Sequence, residues 1–415
     1  MFRVLFLFFV VTSTEAATTL KESFQAALNQ SESLESQEKL VLATEERSAQ
    51  VRGSILPNLT GNASYMIQDR PTDPLAESFF PRNQPEAKLT LRQPIFRGFR
   101  EFGTLRQFGR LNQAEKHAYE NAKLSLYSDV AQSYHAVLAA EENLRNINEQ
   151  LGLYDERIGD LKRRVGEGTS SEADLLALQS SRATVQSQLK TAQAGLVAAR
   201  EAFVFLTGLP SDTPLAPPEQ SQPKPQPVEE YLKSIEGRPD VLDSSARLDA
   251  ADEQVGISKG GHAPSVDLVG NYYFKRQSDV YKGIDWDVQA VFSLPIFAGG
   301  AIRAQVTESV LQRERAELDL GQRRRQAQQQ IRTLHSEYVA GLESISALEQ
   351  GLRLAEKNYQ LLKRDFRRGL TRNLDVLQSL ISAHDLRREL LRARFVARDR
   401  WVQLNVAAGR DPLHE

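Results

Sequence analysis

The sequence predicts a membrane α+β protein built by internal duplication, in which short β-hairpins alternate with long helical hairpins. Three observations predict this class. A five-residue motif and its surroundings recur after 201 positions, two long stretches contain no proline, and four short segments alternate between apolar and polar residues. Charged residues make up 26% of the chain and nearly cancel to a net charge of −2, so no nucleic-acid-binding surface is expected.

The repeat is anchored by the motif Pro-Ile-Phe-x-Gly, which occurs at residues 94–98 and again at 295–299. The same shift of 201 positions, applied without an insertion, superimposes further pairs of identical residues: Gly168 on Gly369, Asp174 on Asp375, and Gly208 on Gly409. Self-similarity at a fixed period indicates a duplicated architecture, in which each half supplies the same elements in the same order.

The N-terminal residues have the composition of a secretory signal peptide. Arg3 is followed by an apolar run at residues 4–11 and then by small residues that end at Ala16 or Ala17. The run is too short to span a bilayer, which favours a signal peptide over residues 1–16; a short buried strand or helix is the alternative. The remaining chain has no run of 18 apolar residues, so any membrane crossing is expected to use β-strands.

Two proline-free stretches, residues 95–209 and 296–411, are rich in Ala, Leu, Gln, Glu, Lys and Arg, which favour helices. An unbroken helix of that length would extend about 170 Å, far beyond an ordinary globular helix. Each stretch is therefore expected to fold back on itself as a helical hairpin.

The predicted turns of these hairpins are VGEGTSSEADLL (165–176) and RRGLTRNLDVLQ (367–378), which coincide under the repeat. In both, Gly suits the end of one helix and Ser or Thr suits the start of the next. Ser171 and Asp174 are expected to form a variant of the capping box. The predicted elements of the first half are a descending helix at 99–165 and a returning helix at 171–207.

A further helix is expected at 18–54, with a counterpart in the second half at 228–259. Residues 210–227 contain seven prolines, which is typical of an extended linker with little regular structure. The expected organisation is a signal peptide at 1–16, a first repeat at 17–209, the linker at 210–227, a second repeat at 228–410 and a C-terminal tail at 411–415.

Four segments that precede the two motifs alternate apolar and polar residues with the period of a β-strand: 58–68, 86–92, 265–275 and 285–294. A soluble β-sandwich, in which one face of each sheet is exposed to solvent, would show the same alternation. The membrane interpretation is favoured because most of the segments have the length of a tilted membrane-spanning strand. It is also favoured by large aromatic residues that would form a girdle at the membrane interface: Tyr65, Tyr272, Phe274 and Trp286.

Four strands cannot close a barrel, and an open sheet edge in lipid would leave backbone groups without hydrogen-bond partners. The membrane interpretation therefore requires several chains to complete one sheet. A trimer would supply 12 strands.

The order of these elements resembles the TolC-like outer-membrane efflux protein family. The resemblance rests on a signal peptide, a helix, a β-hairpin ending in Pro-Ile-Phe-x-Gly and a helical hairpin with a Gly…Ser/Thr…Asp tip, after which the elements recur. It implies a homotrimer whose 12 strands form one outer-membrane β-barrel, continuous with a long periplasmic α-helical tunnel that narrows at the hairpin tips. The implied function is a passive exit duct of a tripartite efflux or type I secretion system.

The implied partners are outer-membrane lipid, a periplasmic adaptor (membrane fusion) protein and an inner-membrane pump or secretion ATPase. The resemblance also suggests a role for the repeated motif as the hinge where each returning strand turns into its descending helix. Proline cannot continue a strand ladder, and glycine permits the bend. The hinge residues are Pro94, Gly98, Pro295 and Gly299.

Asp174 and Asp375 stand in the first turn of a predicted helix, where a carboxylate is favoured simply as a cap. The resemblance implies a second role, because Asp375 falls where the family narrows its tunnel with acidic residues from each protomer. Gln378 stands where the family's best-known pattern has a second acid, which argues against a double acidic ring. Arg372 is expected to hold the aperture shut by pairing with a carboxylate, with Thr371 as the alternative contact.

The resemblance places adaptor docking at the hairpin tips, and ordinary helix turns are the alternative interpretation. The docking candidates are Val165, Gly168, Thr169 and Ser170 in the first tip, and Phe366, Gly369, Leu370 and Thr371 in the second.

The sequence lacks the motifs that are typical of catalytic and metal-binding sites. The chain has no cysteine, its six histidines are scattered, and no metal-ligand spacing occurs. No catalytic residue, metal or cofactor is therefore expected, and a secreted enzyme is disfavoured. The main alternative to a duct is a periplasmic coiled-coil scaffold or tether without a pore, which would leave the alternating strands unexplained.

Overall fold

The computed structural model describes residues 17–69, 71, 76, 80, 82–217, 222–276 and 283–410. The expected signal peptide at 1–16, the tail at 411–415 and part of the linker lie outside the described residues. Within the described ranges, no helix combines the length and the apolar character that a membrane span requires.

The elements follow the duplicated order that the repeat predicts. In chain order they are α1 (Leu20–Gln30), α2 (Glu32–Ile55), β1 (Asn58–Ile67), β2 (Asn83–Arg97), α3 (Arg100–Gly166), α4 (Glu172–Thr207), α5 (Val228–Leu232), α6 (Pro239–Lys259), β3 (Ser265–Lys275), β4 (Trp286–Ser293), α7 (Ala301–Arg367) and α8 (Asn373–Ala407). The chain divides into two compact units, a helical unit (residues 1–34, 122–238 and 326–415) and a sheet unit (35–121 and 239–325).

Both helices predicted to flank the hairpins are interrupted, which corrects the expectation of single helices at 18–54 and 228–259. Ser31 separates α1 from α2 because its hydroxyl accepts a hydrogen bond from Leu34 N, which caps the second helix. In the second half, α5 is followed by a 3₁₀ turn at Ile235–Gly237, and α6 begins at Pro239. Proline has no N–H to continue a helix but suits a first helical position.

The sheet unit contains a single antiparallel sheet in the order β1-β2-β3-β4. Its register places Gly61 opposite Leu89, Leu89 opposite Tyr272, and Tyr272 opposite Trp286. Because side chains alternate along every strand, this register aligns the apolar residues of all four strands on one face and the polar residues on the other.

Strand β2 is longer than expected and runs through Pro94, so the assumption that this proline ends the ladder is wrong. Pro94 lies opposite Asp267 of β3, and the register shifts between Pro94 and Phe96, as in a β-bulge. The pairing of β2 with β1 ends at Arg92, so beyond that point β2 has a partner on one side only. A residue without an N–H is tolerated at such an edge.

The two strand-to-helix junctions share left-handed backbone conformations but differ in their surroundings. Gly98 has φ +66°, and a Cβ at this position would lie 2.4 Å from the carbonyl oxygen of Gly260. Gly299 has φ +59°, yet a Cβ there would meet no atom within 4 Å. In the second half, β4 already ends at Ser293, before Pro295, so the two copies of the motif begin in different structures.

The helical unit is held together by buried residues that recur every seven positions. On α3 these are Ile147, Tyr154 and Leu161, and on α4 they are Leu178 and Val185. A seven-residue spacing of apolar residues is the pattern of coiled-coil packing. The sequence alone did not reveal a sustained register, because Ala, Gln and Arg interrupt it, and only the burial pattern identifies the repeated positions.

The described residues of the linker have little regular structure and are anchored to the helical unit. The Tyr134 hydroxyl lies 2.6 Å from Ala216 O and 3.0 Å from Thr18 O, and the Tyr338 hydroxyl donates to Pro223 O at 2.6 Å. Burial raises the pKa of both tyrosines to about 12, so both phenols remain protonated donors at neutral pH.

Candidate functional site

The first hairpin tip connects the end of α3 to the start of α4. Gly168 adopts φ +72°, and Thr169 N donates to Arg164 O at 2.8 Å, which closes the C-terminus of α3. The Ser171 hydroxyl accepts from Ala173 N at 3.1 Å, one residue before the amide that a capping box would use. The expected Ser171–Asp174 box is therefore not formed. Among the described residues, the half-buried Asp174 carboxylate has no hydrogen-bond or ion-pair partner.

The second hairpin tip connects α7 to α8 and brings three predicted residues together. Asp375 Oδ2 accepts from the Thr371 hydroxyl at 3.0 Å and from Arg372 N at 3.3 Å, and it lies 3.6 Å from Arg372 Nε. The carboxylate therefore caps the N-terminus of α8, where it also meets the positive end of the helix dipole. The Arg372 side chain is 84% exposed, so its ion pair adds little stability.

The proposed docking residues surround both turns. Thr169, Gly168, Gly369 and Leu370 are exposed, whereas Val165, Ser170, Phe366 and Thr371 are half-buried. Leu370 exposes 72% of its surface, so most of this apolar side chain is open to solvent at the turn. Phe366 is held between two guanidinium groups, with its ring centroid 4.9 Å from Arg164 Cζ and 5.8 Å from Arg157 Cζ.

Arg157 was missed by the reasoning from sequence. It lies in the last third of α3 among many other basic residues, and nothing in the local pattern distinguishes it. In the structure it is buried and donates through Nη2 to Asn373 Oδ1 at 2.6 Å, which links α3 to the first residue of α8.

Three of the four predicted girdle residues cluster on the apolar face of the sheet. Tyr272 and Trp286 are directly opposite each other, and the Tyr272 and Phe274 rings pack edge to face with centroids 5.3 Å apart. Tyr65 lies on β1 opposite Pro85, so it is separated from this cluster by β2. All four side chains are at least half exposed.

The opposite face of the sheet carries a row of hydrogen-bonded polar side chains, one from each strand. Asn62 donates to the Thr90 hydroxyl at 3.3 Å, Thr90 donates to Asn271 Oδ1 at 2.9 Å, and Asn271 donates to Asp287 Oδ1 at 2.8 Å. Cross-strand pairs of this kind stabilise the register of a sheet. The alternation of apolar and polar residues along each strand is enough to place these residues on its polar face, but their contacts depend on the register.

Among the described residues, no three His, Asp or Glu side chains are arranged to hold a metal ion.

Comparisons with known proteins point to one family. Residues 24–209 and 231–410 match the profile of a family described as outer membrane efflux protein. The outer membrane protein TolC of Escherichia coli K12 is 25% identical over 373 residues, which cover 84% of this chain and 74% of that protein. The proteases secretion protein PrtF of Dickeya chrysanthemi is 22% identical over 332 residues, or 77% of this chain and 72% of that one.

The fold is shared with solved outer-membrane proteins. The structure of VceC from Vibrio cholerae superimposes with a TM-score of 0.83 at 18% identity, covering 94% of this chain and 96% of that one. A likeness at this level of identity describes the fold and leaves the function to be argued from the sites.

Proposed function

This chain belongs to the outer membrane efflux protein family, and we propose that it acts as the exit duct of a tripartite efflux or type I secretion system. It is an outer-membrane transport protein of the kind found in Gram-negative bacteria. The duct is proposed to be passive, with its helical unit in the periplasm. The partners proposed from the relatives are a periplasmic adaptor and an inner-membrane pump or secretion ATPase.

The observation that carries this proposal is the two-faced sheet. One face exposes large apolar side chains from β1, β3 and β4: Leu59, Tyr65, Leu268, Tyr272, Phe274, Trp286, Val288 and Phe292. A soluble protein rarely exposes an apolar surface of this extent, whereas lipid-facing strands require it. The other face carries the hydrogen-bonded polar row and suits an aqueous lumen.

Closure of the sheet between chains follows from its two edges. Within the described residues, β1 and β4 each pair with one strand only, and four strands are too few to form a barrel. We therefore propose a homotrimer with a shared barrel of 12 strands. The proposed organisation of the chain is a signal peptide at 1–16, repeats at 17–209 and 228–410, the linker at 210–227 and the tail at 411–415.

The aperture is proposed to lie at the hairpin tips, with Asp375 as its acidic residue and Asp174 as the counterpart in the first tip. Arg372 is proposed to hold the aperture shut by bridging to a neighbouring carboxylate, with Thr371 as the alternative contact. The contacts that support this proposal are those of the second tip, where the Thr371 hydroxyl and Arg372 Nε both lie close to Asp375 Oδ2. The docking residues of both tips are proposed as the adaptor-binding surface.

A coiled-coil tether without a pore is the competing function, and the seven-residue spacing of buried residues on α3 is compatible with it. The exposed apolar face of the sheet argues against a tether, because a periplasmic protein would have no lipid to cover it.

Extraction and mass measurement test the duct against the tether. The full chain, with its signal peptide, is expressed in a Gram-negative host and recovered from purified outer membranes. We expect the protein to require detergent, to have a detergent-corrected mass of three chains, and to conduct ions in planar bilayers. A monomer that dissolves from the periplasm without detergent would contradict the proposal.

A further inference from the structure

A basic cleft lies at the hairpin tips of the helical unit, and its chemistry is not accounted for by the role proposed above. The cavity has a volume of about 450 Å³. Two carboxylates line the cleft, and they are outnumbered by five cationic side chains. The cations are Arg157, Arg163, Arg164, Lys363 and Arg367. An excess of positive charge inside a cleft raises the local concentration of anions.

Arg157 is the innermost of these cations. Only 7% of its surface is exposed, and its Nε has no hydrogen-bond partner. Its one hydrogen-bond acceptor among the described residues is the neutral side-chain oxygen of Asn373. Burying a guanidinium without a counterion is costly, and removing donors from water without acceptors adds to that cost. The cleft therefore holds a buried positive charge that no negative charge of the described residues neutralises.

The other cations divide into paired and unpaired groups. Arg163 forms an ion pair with Asp160, and Lys363 pairs with Glu156 at 3.1 Å. Arg164 stacks on Phe366 and, within the described part of the chain, has no carboxylate within ion-pair distance; the same holds for the exposed Arg367. Three of the five cations thus have no charged partner among the residues that the structure describes.

We propose that this cleft binds a carboxylate that is carried by an acidic side chain of a partner protein docking on the hairpin tips. A carboxylate matches the planar geometry of a guanidinium, with which it can form two parallel hydrogen bonds. It would accept a hydrogen bond from Arg157 Nε, which has no partner among the described residues. The cleft also contains the apolar surfaces of Leu161 and Phe366, which suit the methylene stem of a glutamate better than a fully hydrated inorganic anion. The inference rests on the proposed function, because it takes the tips to be the docking end.

The test measures binding of an acidic helical probe to the purified full-length protein in detergent. The probe is a fluorescein-labelled Ala/Leu helix with glutamates along one face, and the matched peptide has glutamine at those positions. We expect binding of the glutamate peptide, seen as a rise in fluorescence anisotropy, and little binding of the glutamine peptide. Arg157→Gln is expected to weaken binding at least about tenfold, since truncating one partner of a buried charge pair has a large effect.

Two further variants keep the test decisive. Lys162→Gln removes the same charge from an exposed position of α3 outside the cleft, and it is expected to bind like the unmodified protein. Arg164→Gln alters the wall of the cleft at a less buried position and is expected to weaken binding even if Arg157→Gln fails to fold. Equal losses in Arg164→Gln and Lys162→Gln would mean that only bulk charge attracts the probe, which would overturn the proposal.

Displacement and conductance measurements distinguish the remaining outcomes. If inorganic phosphate displaces the peptide as effectively as an unlabelled glutamate peptide does, the ligand is a free anion and the protein-borne carboxylate is excluded. If the channel conducts in planar bilayers but the probe does not bind, this inference fails while the proposed duct stands. If the same preparation neither conducts nor forms a trimer, the proposed duct fails independently of the cleft.

Discussion

Asp375 is the predicted aperture residue whose environment is best defined at the scale of single side chains. Its carboxylate caps α8 through Thr371 and the Arg372 amide, while Asp174 in the first tip has no such partners within the described residues. Asparagine preserves the capping acceptor but removes the charge. We expect Asp375→Asn to reduce the cation preference of the channel in planar bilayers, with a stability loss below about 1 kcal/mol from the lost helix-dipole interaction.

Asp174→Asn is the matched control for this prediction, because it removes the same charge from the equivalent helix turn of the other repeat. Its effect on cation preference is expected to be smaller. An unchanged cation preference in Asp375→Asn, measured with reversal potentials in asymmetric salt, would leave Asp375 with a capping role only.

His384 of α8 predicts an acid sensitivity of the helical unit. The side chain is 9% exposed, and burial, reinforced by the nearby Arg387, lowers its pKa to about 4. The unfolded chain, with an ordinary histidine pKa near 6.5, binds the proton more tightly than the folded chain. Stability is therefore expected to be constant above about pH 6.5 and to fall by about 3 kcal/mol as the pH decreases to about 4.

Thermal unfolding followed by circular dichroism between pH 4 and pH 7 checks this expectation. His384→Gln should flatten the pH dependence in that window, whereas His262→Gln, at an exposed position in the sheet unit, should retain it. If both variants follow the pH profile of the unmodified protein, the acid sensitivity arises from other groups.

The individual residues show what a single sequence can and cannot predict. Asp174 and Asp375 were found because the repeat superimposes them, and the contacts of Thr371 and Arg372 with Asp375 are local enough to be expected from a helix turn. Arg157 and His384 could not be found, since their properties arise from burial against other helices. Burial on α3 depends on which of its faces packs, and the heptad positions become evident only in the folded unit.

The junction between β2 and α3 makes a prediction at the scale of elements. Both Gly98 and Gly299 adopt left-handed conformations, for which any side chain costs roughly 1–2 kcal/mol. A Cβ at Gly98 would in addition meet Gly260 O at 2.4 Å, which is backbone and cannot rotate away, whereas the space around Gly299 is open. We expect Gly98→Ala to lower the stability about 1–3 kcal/mol more than Gly299→Ala does.

The measurement is the thermal unfolding midpoint of both variants in the same detergent. Gly53→Ala is the control for a glycine-to-alanine change without a steric clash, because a Cβ at this helical position meets no atom within 4 Å. Equal midpoints for Gly98→Ala and Gly299→Ala would show that the strand–helix junction moves easily in the first repeat.

The elements themselves were largely predictable from period and composition. The segment 265–275 coincides with β3, and the predicted helix at 99–165 differs from α3 by one residue at each end. The errors have physical causes. β2 continues beyond the predicted 86–92 because a bulge and a free edge accommodate Pro94, and neither can be recognised without the pairing partner. The helix expected at 228–259 is interrupted ahead of Pro239, and this proline is a helix-start signal that is visible in the sequence itself.

At the scale of the whole molecule, the sheet has two edges and one apolar face that the described residues leave uncovered. The register makes the two faces of β4 chemically distinct at adjacent positions. Val288 lies on the apolar face, opposite Gly270 and beside the aromatic cluster, whereas Gln289 lies on the polar face opposite Val269. Both side chains are exposed within the single chain, so neither is buried in its core.

Substituting lysine at each of these two positions in turn tests whether the apolar face of β4 contacts lipid or water. If the apolar face contacts lipid, Val288→Lys places a charge in hydrocarbon at a cost of about 2–4 kcal/mol, whereas Gln289→Lys adds one more charge to the polar face, which already carries Lys88. We expect Val288→Lys to lower the amount of trimer in purified outer membranes and Gln289→Lys to assemble normally. Trimer yield by detergent-corrected mass is the readout. Because the two substitutions are adjacent on one strand and differ only in the face they alter, equal yields would mean that this face does not contact lipid, and the shared barrel would then have no physical basis.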